Sequence, residues 1–94
     1  MFAISFDMLI SDLKDNYGDP YHNAYYEISN VLETYGFYRT QGSVYLSENS
    51  DLVNLTRAMI TLKNLPWFRA SVRDIRAFKV EDWSNFTDFM KENL

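Results

Sequence analysis

The sequence contains no cysteine and one histidine, His22. Disulfide bonds and thiolate metal sites are therefore excluded, and one imidazole cannot form a multi-histidine metal site within a chain. No apolar run approaches the roughly 18–20 residues that a helix needs to cross a membrane. We therefore expect a soluble cytoplasmic protein without a membrane partner.

Positive charge is also scarce. Nine Lys and Arg residues stand against thirteen acidic residues, which gives a formal net charge of −4 at pH 7. Non-specific binding to nucleic-acid phosphates requires clustered cations, so composition alone argues against it. Four cations nevertheless fall close together in the sequence, at Arg69, Arg73, Arg76 and Lys79. The sequence is therefore compatible with a local basic patch on an acidic protein.

Aromatic residues, by contrast, are abundant at 17% of the 94 residues. A chain of this length predicts one domain over residues 1–94. So short a chain buries a modest fraction of its surface, and many aromatic rings suit a small core together with a buried interface. We therefore expect association into a homodimer.

Residues 1–10 predict the strand around which the chain is organised. Alternation places bulky side chains on one face and small side chains followed by a carboxylate on the other. The two sets are Phe2, Ile4 and Phe6 against Ala3, Ser5 and Asp7. The carboxylate of Asp7 needs a partner, a metal ion or water if it is buried. In the simpler alternative, Asp7 only ends the strand.

The rest of the chain predicts alternating helices and strands. Residues 11–18 are a loop or a short helical turn, and the spacing over 20–35 predicts a helix. Two short strands over 37–47 form a hairpin at Gly42 or one bent strand, and a helix capped by Ser50 follows over 51–64. Pro66 ends that helix. Residues 72–80 predict a strand with a bulge near Arg76 or an edge position, followed by a short helix capped by Ser84.

Four tyrosines crowd the start of the first long helix, namely Tyr17, Tyr21, Tyr25 and Tyr26. We interpret them as core and edge packing rather than as a ligand site. His22 lies off the apolar stripe of this helix and is expected to face solvent.

This order of elements predicts an α+β protein with a ferredoxin-like fold. The fold is a βαββαβ antiparallel sheet with helices on one face, here with a short C-terminal helix. The opposite sheet face, which carries Asp7, needs a cover, and a second copy of the sheet supplies it. The two Asp7 residues would then lie near the two-fold axis of the dimer.

Several segments resemble one known family in order along the chain. They are MFAISFD, GFYRTQGSVY, NLPWF, SVRDIRAFKVEDWS and FTDFMK. Together they resemble virulence-associated protein D, whose members are regarded as small ferredoxin-like endoribonucleases similar in fold to the small CRISPR-associated adaptation nuclease. The resemblance implies RNA cleavage by a homodimer that depends on Asp7. It also implies a toxin–antitoxin role, with a protein antitoxin as partner.

Asp7 can support this chemistry in two ways. Two such carboxylates at a two-fold axis repel each other unless a proton or a cation lies between them, and a shared Mg²⁺ would activate water and polarise phosphate. Without a metal, a carboxylate can act as general base on the ribose 2′-hydroxyl. The sequence leaves both routes open.

Weaker candidates for substrate binding are Arg39, Gln41, Ser43, Arg73 and Arg76. Guanidinium groups match phosphate oxygens, although strict alternation places Arg73 and Arg76 on opposite faces and makes at least one of them an ion-pair residue. The polar residues beside Gly42 can instead satisfy a turn. A different class of function also remains, a non-catalytic dimer that accepts a strand from a protein partner at a sheet edge.

Overall fold

The computed structural model describes residues 1–93, so Leu94, the last residue of the predicted domain, lies outside the described residues. The described residues have the predicted α+β architecture. In chain order the elements are β1 (Phe2–Met8), α1 (Ile10–Asn16), α2 (His22–Thr34), β2 (Tyr38–Gln41), β3 (Val44–Ser47), α3 (Leu52–Lys63), α4 (Pro66–Ser71), β4 (Val72–Lys79) and α5 (Thr87–Lys91).

The four strands form one antiparallel sheet in the order β2-β3-β1-β4. This is the strand order of a ferredoxin-like fold, and the fold prediction is confirmed. The two-residue connection between β2 and β3 is a true hairpin, so the bent-strand alternative is wrong. Within residues 1–93, no helix is long and apolar enough to span a membrane.

The main core lies between the sheet and the helices. Ile4 and Phe6 of β1 are buried, as the alternation predicts. They pack within one cluster with residues spaced three or four apart on α2 and α3, namely Ala24, Ile28 and Leu32 together with Leu55, Ala58 and Leu62. Burying these apolar side chains is what fixes the helices on this face of the sheet.

The opposite sheet face is only partly covered. Ala3 and Leu46 are paired across β1 and β3 and are both buried, although they lie outside the main core cluster. Phe78, which pairs with Ala3 from β4, is 48% exposed. Residues 81–93 are exposed throughout and carry large apolar side chains. This face therefore retains apolar surface that the described chain does not cover.

The helix boundaries correct two expectations about α3 and the residues that follow it. Asp51, not Ser50, caps α3, because its Oδ1 accepts a hydrogen bond from the Val53 N–H at 2.9 Å. The hydroxyl of Ser50 instead accepts a bond from the terminal amine of Met1. Pro66 does not merely end α3 but begins α4, where the missing N–H of proline costs no hydrogen bond.

Two further expectations concern the last third of the chain. Ser84 does not cap the final helix, because α5 begins at Thr87 and has no side-chain cap at Phe86. β4 lies at the sheet edge, as one alternative predicted, but its irregularity lies at the start of the strand rather than near Arg76. Near the other end of the chain, residues 11–18 were expected to form a loop or a short helical turn, and most of them lie in the helix α1.

Candidate functional site

Asp7 lies near the end of β1, with its carboxylate directed away from the main core. The preceding residue, Phe6, points into the core, so alternation turns Asp7 toward the opposite face. The side chain of Asp7 is 55% exposed. A carboxylate at this place is accessible to a large substrate such as a nucleic acid.

A bulge in the pairing of β1 with β4 brings Arg73 to this carboxylate. Asp7 pairs with Asp74 whereas Met8 pairs with Val72, so Arg73 has no partner of its own on β1. An Nη of Arg73 lies 2.8 Å from Oδ2 of Asp7. The expectation from strict alternation fails here because the extra residue of a bulge reorients the side chain beside it.

A second ion pair lies directly beside the first. Asp74 is the cross-strand neighbour of Asp7, and its Oδ2 accepts a bond from Nε of Arg76 at 3.0 Å. Arg76 pairs with Ser5, one step further along the same face. The two carboxylates and two guanidinium groups cancel in charge. Sequence reasoning missed Asp74 because only the register between β1 and β4 reveals that it faces Asp7.

The β2–β3 hairpin reaches the same end of β1. The N–H of Phe6 donates to the carbonyl oxygen of Ser43 at 3.2 Å. Gly42, with φ of +46°, occupies the first loop position, where tight two-residue hairpins favour glycine. The Nε of Arg39 donates to the carbonyl oxygen of Gly42 at 2.8 Å. Ser43 and Arg39 are therefore held near the end of β1 on which Asp7 lies.

Gln41 is not brought to the other candidates. It lies beside Trp83 and Phe86 in a groove between the hairpin and the C-terminal segment. This groove is on the sheet face opposite the helices, whereas Arg39 pairs with the core-facing Tyr45. The structure thus brings Asp7 and Arg73 together at one corner, places Arg39 and Ser43 on the helix side of the hairpin, and places Gln41 beside the C-terminal segment.

Tyr25 is a residue of this corner that the sequence interpretation treated only as packing. Burial, followed by the neighbouring Tyr21 and the charge of Asp7, raises the pKa of Tyr25 above its ordinary value of 10.0. The phenol therefore keeps its proton at neutral pH and can donate a hydrogen bond. The sequence signal that could have identified it is its place in the first turn of α2.

Comparison with known proteins identifies the family. The model of the family described as CRISPR associated protein Cas2 matches residues 1–87. The chain belongs to this family. The match covers the whole sheet, including Asp7 and both ion pairs, and ends at the start of α5.

Individual relatives of this chain are VapD proteins, as the resemblance predicted. Endoribonuclease VapD 1 of Riemerella anatipestifer is 64% identical over 84 residues, which are 89% of this chain and 94% of the relative. Endoribonuclease VapD of Dichelobacter nodosus is 56% identical over 91 residues, 97% and 98% of the two chains. Endoribonuclease VapD of Haemophilus influenzae is 48% identical over 91 residues, 97% and 99% of the two chains.

Few side chains of the described residues lie where they could share a metal ion with Asp7 in this Cas2-family protein. Within residues 1–93, no group of three or more His, Asp or Glu side chains is placed to hold an ion. The two adjacent carboxylates, Asp7 and Asp74, are each already paired with an arginine. Since Mg²⁺ takes several oxygen ligands, a site at Asp7 would need further oxygens, from water, a substrate phosphate or a second chain.

Proposed function

We propose that this protein is an endoribonuclease that cleaves RNA phosphodiester bonds, with Asp7 as its central residue. The observation that carries the activity is the 64% identity, over 84 residues, to a relative named an endoribonuclease. The exposed carboxylate at the end of β1, with a guanidinium 2.8 Å away, supports the choice of residue. Asp7, the candidate general base, is thus adjacent to Arg73, a side chain that can bind phosphate.

The metal-free route uses groups that this corner already holds. Guanidinium has five N–H donors, so Arg73 can bind a phosphate while it remains near Asp7. Asp7 then accepts the proton of the ribose 2′-hydroxyl, and the 2′-oxygen attacks the adjacent phosphorus. The bond to the 5′-oxygen breaks, and that oxygen takes a proton from water. The products are a 2′,3′-cyclic phosphate and a free 5′-hydroxyl.

The alternative route requires Mg²⁺ held by Asp7 of two chains. The ion would supply charge for the phosphate and would lower the pKa of a bound water. Asp7 would then act as a ligand, and its exposure on the uncovered sheet face is what allows a second chain to approach it. The two routes differ in their response to chelation.

The cleavage experiment uses a labelled structured RNA with wild type and Asp7→Asn, each in Mg²⁺ and in EDTA. We expect wild type to cut and Asp7→Asn to be inactive but folded. Cleavage by wild type in EDTA, with cyclic-phosphate ends, supports attack by the 2′-hydroxyl, whereas its loss in EDTA supports the metal route. Equal cleavage by both proteins would remove Asp7 from the mechanism.

We propose further that the active species is a homodimer formed through the uncovered sheet face. Phe78 is 48% exposed there, and residues 81–93 add four exposed apolar side chains. Trp83, Phe86, Phe89 and Met90 are 43%, 60%, 60% and 73% exposed. Apolar surface concentrated in this way is typical of an interface rather than of a monomer surface.

Sedimentation tests the dimer. The double variant Phe86→Ser and Phe89→Ser should shift the equilibrium toward monomer, because it removes apolar area from the interface. Leu52→Ser is a matched control, since Leu52 is 63% exposed but lies on α3. A wild-type protein that sediments as a monomer throughout, or equal weakening by the control, would contradict the proposed interface.

The proposed toxin role follows from the family resemblance, with a protein antitoxin as partner and the cytoplasm as location. Induced expression of wild type should arrest growth, whereas Asp7→Asn should not, because the arrest would result from RNA cleavage. Arrest by both proteins would separate the growth effect from Asp7.

A non-catalytic dimer that binds a protein partner is the second candidate. The observation that favours it is that β2 and β4 lie at the sheet edges, where an added strand can pair. The absence of cleavage by wild type both in Mg²⁺ and in EDTA would place this function ahead of the nuclease. Cleavage that depends on Asp7 would exclude it as the sole function.

A further inference from the structure

A cavity of about 450 Å³ lies between the beginning of α2 and the β2–β3 hairpin. His22, Tyr25 and Tyr26 line it from the helix, and Arg39 and Ser43 line it from the hairpin. Its volume lies within the range of about 300–1,000 Å³ that is typical of small-molecule sites. It is therefore large enough for a single nucleobase with its sugar.

The helix side of the cavity offers exposed aromatic surface. Tyr26 is 69% exposed, so its ring is accessible to a ligand. Tyr21 and Tyr25 do pack partly against the core. The His22 ring is stacked on Tyr21, with ring centroids 4.2 Å apart, which limits its freedom. Rings presented in this way stack on unpaired bases without reading their sequence.

The inner end of the cavity is polar and already hydrogen-bonded. The hydroxyl groups of Ser29 and Tyr45 bond to each other, and Tyr45 is buried in the core. These two hydroxyl groups need no ligand to satisfy them. They still provide an acceptor lone pair for a base edge.

Charge in the cavity favours a phosphate. Arg39 is the cation of the lining, and its Nε bond to the Gly42 carbonyl oxygen fixes the guanidinium plane while leaving both terminal nitrogens as donors. Neither ion pair recorded in the described part of the chain involves Arg39. No Asp or Glu is among the lining residues, although the protein carries a net charge of −4. Arg39 thus differs from Arg73 and Arg76, whose charges are neutralised.

The cavity adjoins the corner that holds Asp7. Ser43, which lines the cavity, accepts the hydrogen bond of the Phe6 N–H, so the lining contacts the residue that precedes Asp7. Tyr25 also lines the cavity and is close enough to Asp7 for the carboxylate charge to act on its phenol. A nucleotide in the cavity would therefore lie close to the end of β1 that carries Asp7.

From these observations we infer that the cavity binds one unpaired nucleotide of the RNA, with the base stacked on Tyr26 and the phosphate bound by Arg39. The inference rests on the proposed nuclease function and adds a binding subsite to it. It assigns to Arg39 the phosphate of the nucleotide in the cavity, whereas Arg73 binds the phosphate beside Asp7 under the proposed function. Because the cavity opens on the helix side of the sheet, dimerisation through the other face leaves it accessible.

The test measures binding of adenosine 5′-monophosphate and of adenosine by calorimetry, with the full chain. Tyr26→Ala should weaken binding of both ligands by about tenfold, whereas Tyr26→Phe should bind as wild type does, because stacking needs only the ring. Arg39→Gln should weaken binding of the monophosphate but not of adenosine. Arg57→Gln, an exposed arginine on α3, is the matched control and should change neither.

The same variants, combined with Asp7→Asn so that the substrate stays intact, are then titrated with single-stranded RNA. Parallel losses of RNA and nucleotide affinity for Tyr26→Ala and Arg39→Gln support the subsite. Wild-type affinity in both variants, or no monophosphate binding by the wild type, overturns it. If the wild type fails to cleave RNA but the losses occur, the nuclease proposal fails and the subsite stands. If cleavage depends on Asp7 but not on Tyr26 or Arg39, the nuclease proposal stands and the subsite proposal fails.

Discussion

Replacing Asp7 by Asn should remove activity at almost no expense to stability, and Asp74→Asn provides a matched control. The two carboxylates lie opposite each other on adjacent strands. Each is paired with an arginine, at 2.8 Å for Asp7 and 3.0 Å for Asp74. Their side chains are 55% and 53% exposed. Any effect of lost charge or of a broken ion pair on folding should therefore be nearly the same in both variants.

The expected magnitudes follow from this exposure. An ion pair between such exposed side chains contributes about 0–1 kcal/mol, so each variant should lower the free energy of unfolding by less than about 1 kcal/mol. Loss of a general base lowers rates by about 10²–10⁴-fold, which is the loss expected for Asp7→Asn. Asp74→Asn removes only the ion pair with Arg76, which contributes about 0–1 kcal/mol. The resulting change in the position of Asp7 should therefore alter the cleavage rate by less than about tenfold.

Urea denaturation followed by circular dichroism measures stability, and initial rates on a labelled RNA measure activity. Both variants and wild type should be purified in parallel, so that a contaminating ribonuclease would appear equally in all three. Equal loss of activity in the two variants would refute the reasoning, because the pair of carboxylates rather than Asp7 would then be the reactive centre. A loss of several kcal/mol in the stability of Asp7→Asn would refute it as well.

Three further predictions concern stability, each measured by urea denaturation. Leu32→Ala, at a fully buried site, should cost about 2–5 kcal/mol, whereas Leu52→Ala, at a site 63% exposed, should cost less than about 0.5 kcal/mol. Asp51→Ala should cost about 1 kcal/mol because it removes the cap of α3, and Ser50→Ala should cost less. Burial raises the pKa of Tyr25 above its ordinary value of 10.0, so the phenol ionises at a lower pH in the unfolded chain than in the folded protein. The contribution of Tyr25 to the free energy of unfolding is therefore fully present below pH 10 and is lost as the pH rises above 10. Tyr25→Phe should remove this pH-dependent loss of stability.

Much of the fold could be predicted because the signals that define it are short in range. Alternation in β1 correctly assigned Ile4 and Phe6 to the core. The spacing of Ala24 and Ile28 predicted α2, and the order of elements then sufficed for the fold. Each of these signals lies within one or two turns of a helix or within one strand, so a single sequence carries it completely.

The candidate site could be predicted only in part, because it depends on pairing between distant segments. Asp7 was identifiable from its place in β1. That Asp74 lies opposite it, and that Arg73 reaches it from a bulge, depends on the register of β4 against β1, which the core on the other face of the sheet selects. The exposure of Tyr26 likewise depends on how α2 is rotated against the hairpin. No pattern within either segment contains this information.

The ion pair at the site also bears on how an acidic protein could act on RNA. In the free protein Arg73 neutralises Asp7, so neither group is available alone. A phosphate that competes for the guanidinium must overcome an exposed ion pair, which contributes only about 0–1 kcal/mol. Binding of the phosphate to Arg73 then leaves the carboxylate of Asp7 free next to the bound nucleotide. Under the proposed function, substrate binding and release of the general base are the same event, and a strong buried ion pair at this position would prevent both.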